Sequence, residues 1–174
     1  MKAKERALEG LEIARAISSD APRTYIPPRE AVKPESESIL PADLLAGTRG
    51  YLEHVLLQAN GCYERGWHDA CAVMMRRLLE ILIIEAFEAR RIDATIKDPV
   101  TGDFFMLGGL IDAAVSEGSW NLGRATKRAL PRLKALGDTS AHARRYNARS
   151  DDVDRLRDGF RLACEELLYL AGLK

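Results

Sequence analysis

The segment WHDACAVMMRRLLEILIIEAFEARR, residues 67–91, is apolar through its middle on nearly every side of a helix. A helix of this kind belongs at the centre of a bundle, because each of its faces then lies against another helix instead of water. We therefore predict that it is the central helix of an all-α fold. Five of its side chains are expected to be buried: Val73, Met74, Leu78, Ile81 and Leu82.

Three charged residues interrupt this apolar middle: Arg76, Arg77 and Glu80. Arg76 and Glu80 are four residues apart, so they share a helix face and can form a charge-assisted pair. A charge in so apolar a helix has to be paired or has to reach solvent, because unpaired burial is costly. Arg76 is therefore either part of a structural ion pair at the protein surface or a cationic group that lines a cleft.

Shorter helical patterns lie on both sides of the central one. The periodicity predicts one helix over residues 42–65, with Gly66 as its break, and a short helix over residues 104–118, closed by Gly118. A loop rich in Asp, Pro and Gly connects the central helix to the short one, and a small hairpin fits near Pro99–Gly102. No other strand pattern is evident.

The C-terminal third of the chain predicts further helices. Ser119 is the expected N-cap of one helix, and Pro131 suits the first turn of the segment after it. A clean apolar stripe follows a Ser150/Asp151 cap and predicts the last helix. The fold class is thus all-α, a bundle of four or five helices that occupies residues 42–174.

An N-terminal extension precedes this domain. Residues 1–18 carry apolar side chains at three- and four-residue steps and predict a helical arm, whereas residues 19–41 hold five of the seven prolines and predict an extended linker. We expect the arm to dock on another protein or on a second copy of the chain.

Composition excludes several classes of function. The 26 basic and 26 acidic residues cancel, so contact with nucleic acid or an anionic membrane would need a local patch. We see no signal peptide and no apolar run long enough to span a bilayer, and we expect a cytoplasmic protein without membrane contact. Three cysteines in helical patterns predict reduced core residues. We expect no metal site and no cofactor, because Cys-x-x-Cys, a phosphate-binding loop and a nucleophile elbow are all missing.

The segment LGDTSAHARRY, Leu136–Tyr146, holds the candidate site. If the helix continues through it, then Lys134, Asp138 and His142 share one face, and Asp138 would hydrogen-bond the imidazole and fix its tautomer. Arg144 and Arg145 would add phosphate-binding donors beside them. Such a set can cleave RNA without metal, because histidine moves protons and a cation stabilises the phosphate. The alternative is a helix end whose histidine has only a structural role.

Three stretches of the chain resemble one protein family in order and spacing: ANGCYERGWHDACAVMMRRLLEILI, LGGLIDAAVSEG and LPRLKALGDTSAHARR. The family is a bacterial domain of unknown function that looks like a branch of the HEPN superfamily (higher eukaryotes and prokaryotes nucleotide-binding). The resemblance covers about residues 48–172. The family's Arg-x-x-x-Glu falls on Arg76 and Glu80, and its Gly-Asn-x-x-x-His turn falls on Gly137 and His142, with Asp138 in place of the Asn.

The resemblance implies a helical bundle that often dimerises, and many HEPN domains are metal-independent RNases of toxin–antitoxin, defence and RNA-processing systems. The HEPN signature is an Arg, four to six residues, and then a His. His142 matches the His, but the positions for the Arg hold Ala135, Leu136 and Gly137. Lys134 lies one residue too far away.

We therefore expect a HEPN-like module that is catalytically degenerate and binds a protein or RNA partner, in a bacterial defence or toxin–antitoxin context. One alternative is a divergent metal-independent endoribonuclease that uses His142 with Lys134 and Arg144. Another alternative is a structural helical adaptor. The resemblance also implies a homodimer.

Overall fold

The computed structural model describes residues 38–174, and these form a bundle of five α-helices. The predicted all-α fold class is confirmed. The predicted arm and all but the end of the predicted linker lie outside the described residues. The helices are α1 Gly50–Glu64, α2 His68–Ala89, α3 Leu107–Ser116, α4 Arg124–His142 and α5 Ser150–Leu170, with short 3₁₀ turns at Ala42–Leu44 and Asp93–Ile96.

Helix α2 is central, as predicted, and packs against α1, α4 and α5, while α3 packs against α2 and α4. Leu78 and Leu82 are fully buried, which confirms two of the five predicted core residues. The prediction was wrong for Val73, Met74 and Ile81, which are only half-buried. Met74 and Ile81 pack against the core at its edge and not inside it. Val73 and Met74 border an open groove between α1 and α2 instead.

Two predicted helix boundaries were wrong. The single helix over residues 42–65 is interrupted at Gly47, where a φ of +75° turns the chain before α1 begins. The expected cap at Ser119 is also absent, because its backbone N–H bonds the side chain of Glu117 and α4 starts only at Arg124. Both differences arise in short polar connections, where local turns outweigh helical periodicity.

Pro131 does not begin a helix but lies inside α4, which is continuous from Arg124 to His142. Its ring lies on the exposed side of the helix. The expected small hairpin is present as one antiparallel bridge between Lys97 and Phe104, stabilised by the Asp98 side chain, which accepts the N–H groups of Val100 and Thr101.

The chain enters the core before the predicted start of the domain. Ile39 and Leu40, in the range assigned to the linker, are fully buried. The buried side-chain amide of Asn60 on α1 accepts the N–H of Leu40 at 3.2 Å and donates to its carbonyl at 2.9 Å. These two bonds fasten this end of the described chain to α1.

A glycine sets the closest approach of α2 and α4. A Cβ atom on Gly137 would lie 2.6 Å from Arg76 Cβ and 3.1 Å from the carbonyl oxygen of Ala72. Such distances are below van der Waals contact, so no larger residue fits without moving a helix. Gly137 therefore lets the two helices carry Arg76 and Asp138 to within bonding distance.

We predict that Gly137→Ala lowers the free energy of unfolding by about 1–3 kcal/mol, the usual cost of overpacking. Urea unfolding at neutral pH measures it. Gly50→Ala is the matched control, because a Cβ on Gly50, at the start of α1, meets nothing within 4 Å. A Gly137→Ala protein as stable as the wild type would show that the helices do not depend on this contact.

Candidate functional site

The candidate site is a shallow cleft of about 530 Å³ between α2, α4 and the start of α3. Four of the predicted site residues meet in it: Lys134, Asp138 and His142 from α4, and Arg76 from the distant α2. The cleft is lined by Arg76, Met106, Leu107, Lys134, Asp138, Thr139, His142 and Ala143.

Asp138 connects the two cations of the cleft. Its Oδ1 accepts a hydrogen bond from Arg76 Nε at 2.8 Å, and its Oδ2 accepts one from Lys134 Nζ. Arg76 also donates to Glu80 Oε2 at 3.2 Å, which confirms the predicted pair on α2. The four side chains thus form a cluster in which two positive and two negative charges balance.

The environment of Asp138 favours its ionised form. Partial burial acts to raise its pKa, but the hydrogen bonds from Lys134 and Arg76 and their charges outweigh this effect and lower the pKa below the ordinary value. The carboxylate therefore keeps its negative charge at neutral pH, in the middle of the cleft.

His142 lies at the edge of the cleft, at the last residue of α4, and is exposed. The predicted bond between Asp138 and His142 was wrong: among residues 38–174, no hydrogen bond or ion pair engages the His142 ring. Spacing of four residues places both on one side of the helix, but Arg76 and Lys134 occupy both oxygens of Asp138. The imidazole is left open to solvent.

Arg144 and Arg145 follow the end of α4 in an exposed connection and are not among the residues that line the cleft. This connection is fixed at its far end, where the N–H of Ala148 donates to Asp69 Oδ1 at 2.9 Å at the start of α2. Tyr146 Oη donates to Asp152 Oδ2 at 3.0 Å. The two arginines therefore sit on a tethered loop beside the cleft.

Sequence reasoning missed two parts of the site. An apolar wall of the cleft is formed by Met106, which is 82% exposed, and by Leu107. The only sequence signal for this wall is the position of the two residues at the start of a predicted helix. The bond between Arg76 and Asp138 joins residues 62 positions apart, so no local spacing could have revealed it.

None of the three cysteines lines the cleft. Residues 38–174 contain no group of three or more His, Cys, Asp or Glu side chains that could hold a metal ion. All three cysteines are free, and burial raises the pKa of the Cys71 thiol to about 12. No helix in the same range is long and apolar enough to cross a membrane.

No protein-family model, curated protein or solved structure matches this chain. The resemblance to the HEPN superfamily therefore stays a prediction, which rests on three stretches of the sequence and their spacing.

We predict that Asp138→Asn lowers the free energy of unfolding by about 1 kcal/mol at neutral pH, because charge-assisted hydrogen bonds in a partly exposed cluster are lost. The pKa of Asp138 is lowered by folding, so this stabilisation is present above the unfolded pKa and disappears as the pH falls through the folded one. Urea unfolding of both proteins across pH should show the difference shrinking below about pH 4. A difference that persists unchanged in acid would contradict the ionic origin.

Proposed function

We propose that this protein is a HEPN-like helical module that is catalytically degenerate and binds a protein or RNA partner, in a bacterial defence or toxin–antitoxin context. Support comes from the meeting of the two family motifs. Arg76 and Glu80 on α2 and the Gly137–His142 segment of α4 contact each other through the bond between Arg76 and Asp138. Three free cysteines are consistent with a cytoplasmic location.

The main support for a catalytically degenerate site is the position of Asp138 between Arg76 and Lys134. Cleavage of RNA at a histidine needs a nearby cation that can stabilise the charge developing on the phosphate. Both cations in this cleft already bind a carboxylate, which also repels an incoming phosphate. The cleft thus holds a proton-transferring group without a free cation at the family's position.

A divergent metal-independent endoribonuclease is the second candidate. It is favoured by the exposed, unpaired imidazole of His142 and by Arg144 and Arg145, which follow it and have no hydrogen-bond or ion-pair partner among the described residues. A structural adaptor is the third candidate, for which the charge cluster would serve only to hold α2 against α4.

An RNA-cleavage assay in EDTA separates these candidates. For a degenerate module we expect no cleavage by the wild type, by His142→Ala or by Asp138→Asn. His142→Ala is a clean variant, because its exposed side chain has no partner within residues 38–174 and such side chains contribute little to stability, within about 0.5 kcal/mol. A gel readout with a structured RNA and a single strand covers both substrate classes.

The endoribonuclease would give a different pattern in the same assay. Cleavage by the wild type that vanishes in His142→Ala and increases in Asp138→Asn would contradict the degenerate module. The increase would follow because the neutral amide no longer repels the phosphate or pairs with the charge of Lys134, although Arg76 keeps its bond to Glu80.

We also propose a homodimer, formed through the groove between α1 and α2. The groove presents Leu57 and Trp67, whose surfaces are 68% and 55% exposed, beside the half-buried Val73 and Met74. Adjacent exposed apolar side chains of this size are typical of interaction surfaces.

Light scattering at high micromolar concentration should give the mass of a dimer for the wild type and of a monomer for Leu57→Asp, because a charge is placed in the apolar contact. Tyr169→Asp, at an exposed position near the end of α5, is the matched control and should remain dimeric. A monomeric wild type would refute the dimer, and a dimeric Leu57→Asp would refute this interface.

A further inference from the structure

Positive charge is concentrated in one part of an otherwise neutral chain. The whole sequence balances 26 basic against 26 acidic residues, yet between Arg124 and Arg149 Asp138 is the sole acidic residue. The basic residues of this segment are Arg124, Lys127, Arg128, Arg132, Lys134, Arg144, Arg145 and Arg149. The local patch that a polyanion would require is therefore present.

Three of these arginines form a row on the outer face of α4, which we call the arginine ridge: Arg124, Arg128 and Arg132. They are exposed and four residues apart, so they follow one another along a single helix face in steps of about 6 Å. Three more exposed residues continue this face to the cleft: Ala135, Thr139 and His142. The whole face is about 27 Å long.

The ridge is not used inside the described part of the protein. No hydrogen bond or ion pair within residues 38–174 engages the guanidinium groups of the ridge. Other arginines of the fold are paired with carboxylates: Arg76, Arg155, Arg157 and Arg161. The ridge therefore differs from these paired arginines in having no partner within the described residues, as do Arg144 and Arg145 after the same helix.

The ridge also works against its own helix. Like charges four residues apart repel each other, and cations in the first turns of a helix oppose its dipole. The first turn of α4 contains no acidic residue, and Glu166 of α5 reaches only the N–H of Gly123, at 2.9 Å. An external polyanion would relieve both effects at once.

We propose that the arginine ridge binds the phosphate backbone of a nucleic acid, independently of its sequence. This inference rests on the proposed function, in which the module binds a macromolecule, and it names nucleic acid as the partner and α4 as the place of contact. Arginine forks match phosphate oxygens in pairs, and a row of them suits a ligand with a charge on every residue.

Nucleic acid fits this face better than an acidic protein does. Protein interfaces usually contain buried aromatic or aliphatic anchors, whereas no exposed large hydrophobic side chain lies on α4. The same absence of aromatic rings leaves nothing on which bases could stack, so phosphate contacts dominate. Duplexes should therefore bind at least as well as single strands.

The test compares two triple variants of the full chain that lose the same positive charge. The ridge variant is Arg124→Gln/Arg128→Gln/Arg132→Gln. The control is Arg90→Gln/Arg155→Gln/Arg161→Gln, which changes three exposed arginines outside the ridge and outside the groove between α1 and α2. Two of them, Arg155 and Arg161, already pair with Asp152 and Glu165. Fluorescence anisotropy measures binding of a short RNA duplex, the matching DNA duplex and one single strand across a range of salt concentrations.

We expect the wild type and the control to bind all three probes, with affinity falling as salt rises. The ridge variant should bind more weakly, and the slope of log K against log salt should be shallower by about three, one for each lost phosphate contact. No binding by the wild type, or an equal loss in the control, would overturn the proposal. Displacement of the duplex by polyglutamate at equal charge would overturn it as well, because the surface would then recognise acidic polypeptide.

Stability provides an independent readout. The ridge variant should unfold at the same temperature as the wild type or higher, because repulsion along α4 is removed. A lower unfolding temperature would overturn the proposal by showing that the ridge has a structural role.

The binding test also separates the ridge from the degenerate module. Cleavage of the RNA probe by the wild type would refute the degenerate module, but weaker binding of nucleic acid by the ridge variant would still support the ridge. The two proposals therefore fail separately.

Discussion

The approach of α4 to α2 at Gly137 is the contact on which the candidate site depends. With only a hydrogen in place of a side chain, the backbone of α4 lies against Arg76 and the carbonyl of Ala72. Asp138 is then held beside Arg76, and the cleft opens between this contact and Met106 at the start of α3. The two residues of the Gly-Asp pair therefore have different functions. Gly137 allows the close contact between α4 and α2, and Asp138 pairs its charge with that of Arg76 across this contact.

The same residue type has two different roles on neighbouring faces of the bundle. Arg76 is partly buried and shares the Asp138 carboxylate with Lys134, so its charge helps to join α2 to α4. Arg128, on the outer face of α4, has no such partner among the described residues. Counting charges along the chain cannot separate these roles, because the separation depends on which carboxylates the fold brings near each guanidinium.

Features with a local cause could be predicted from the sequence. The central position of α2 follows from its apolar periodicity, and the pair between Arg76 and Glu80 follows from a spacing of four residues. Features set by distant parts of the chain could not. The partial exposure of Val73 depends on the groove that α1 and α2 leave open beside it. Asp138 bonds Arg76 instead of His142 because folding brings α2 next to α4.

The attachment of Leu40 to Asn60 also determines where this domain can be cut. The side-chain amide of Asn60 is buried and meets both backbone polar groups of Leu40, as an adjacent strand would. Excision at residue 42, the start that helical periodicity indicates, would remove two fully buried side chains and leave this amide without partners in an apolar surrounding. The smallest unit able to fold as a whole therefore begins before its first helix, at a segment whose composition is that of a linker.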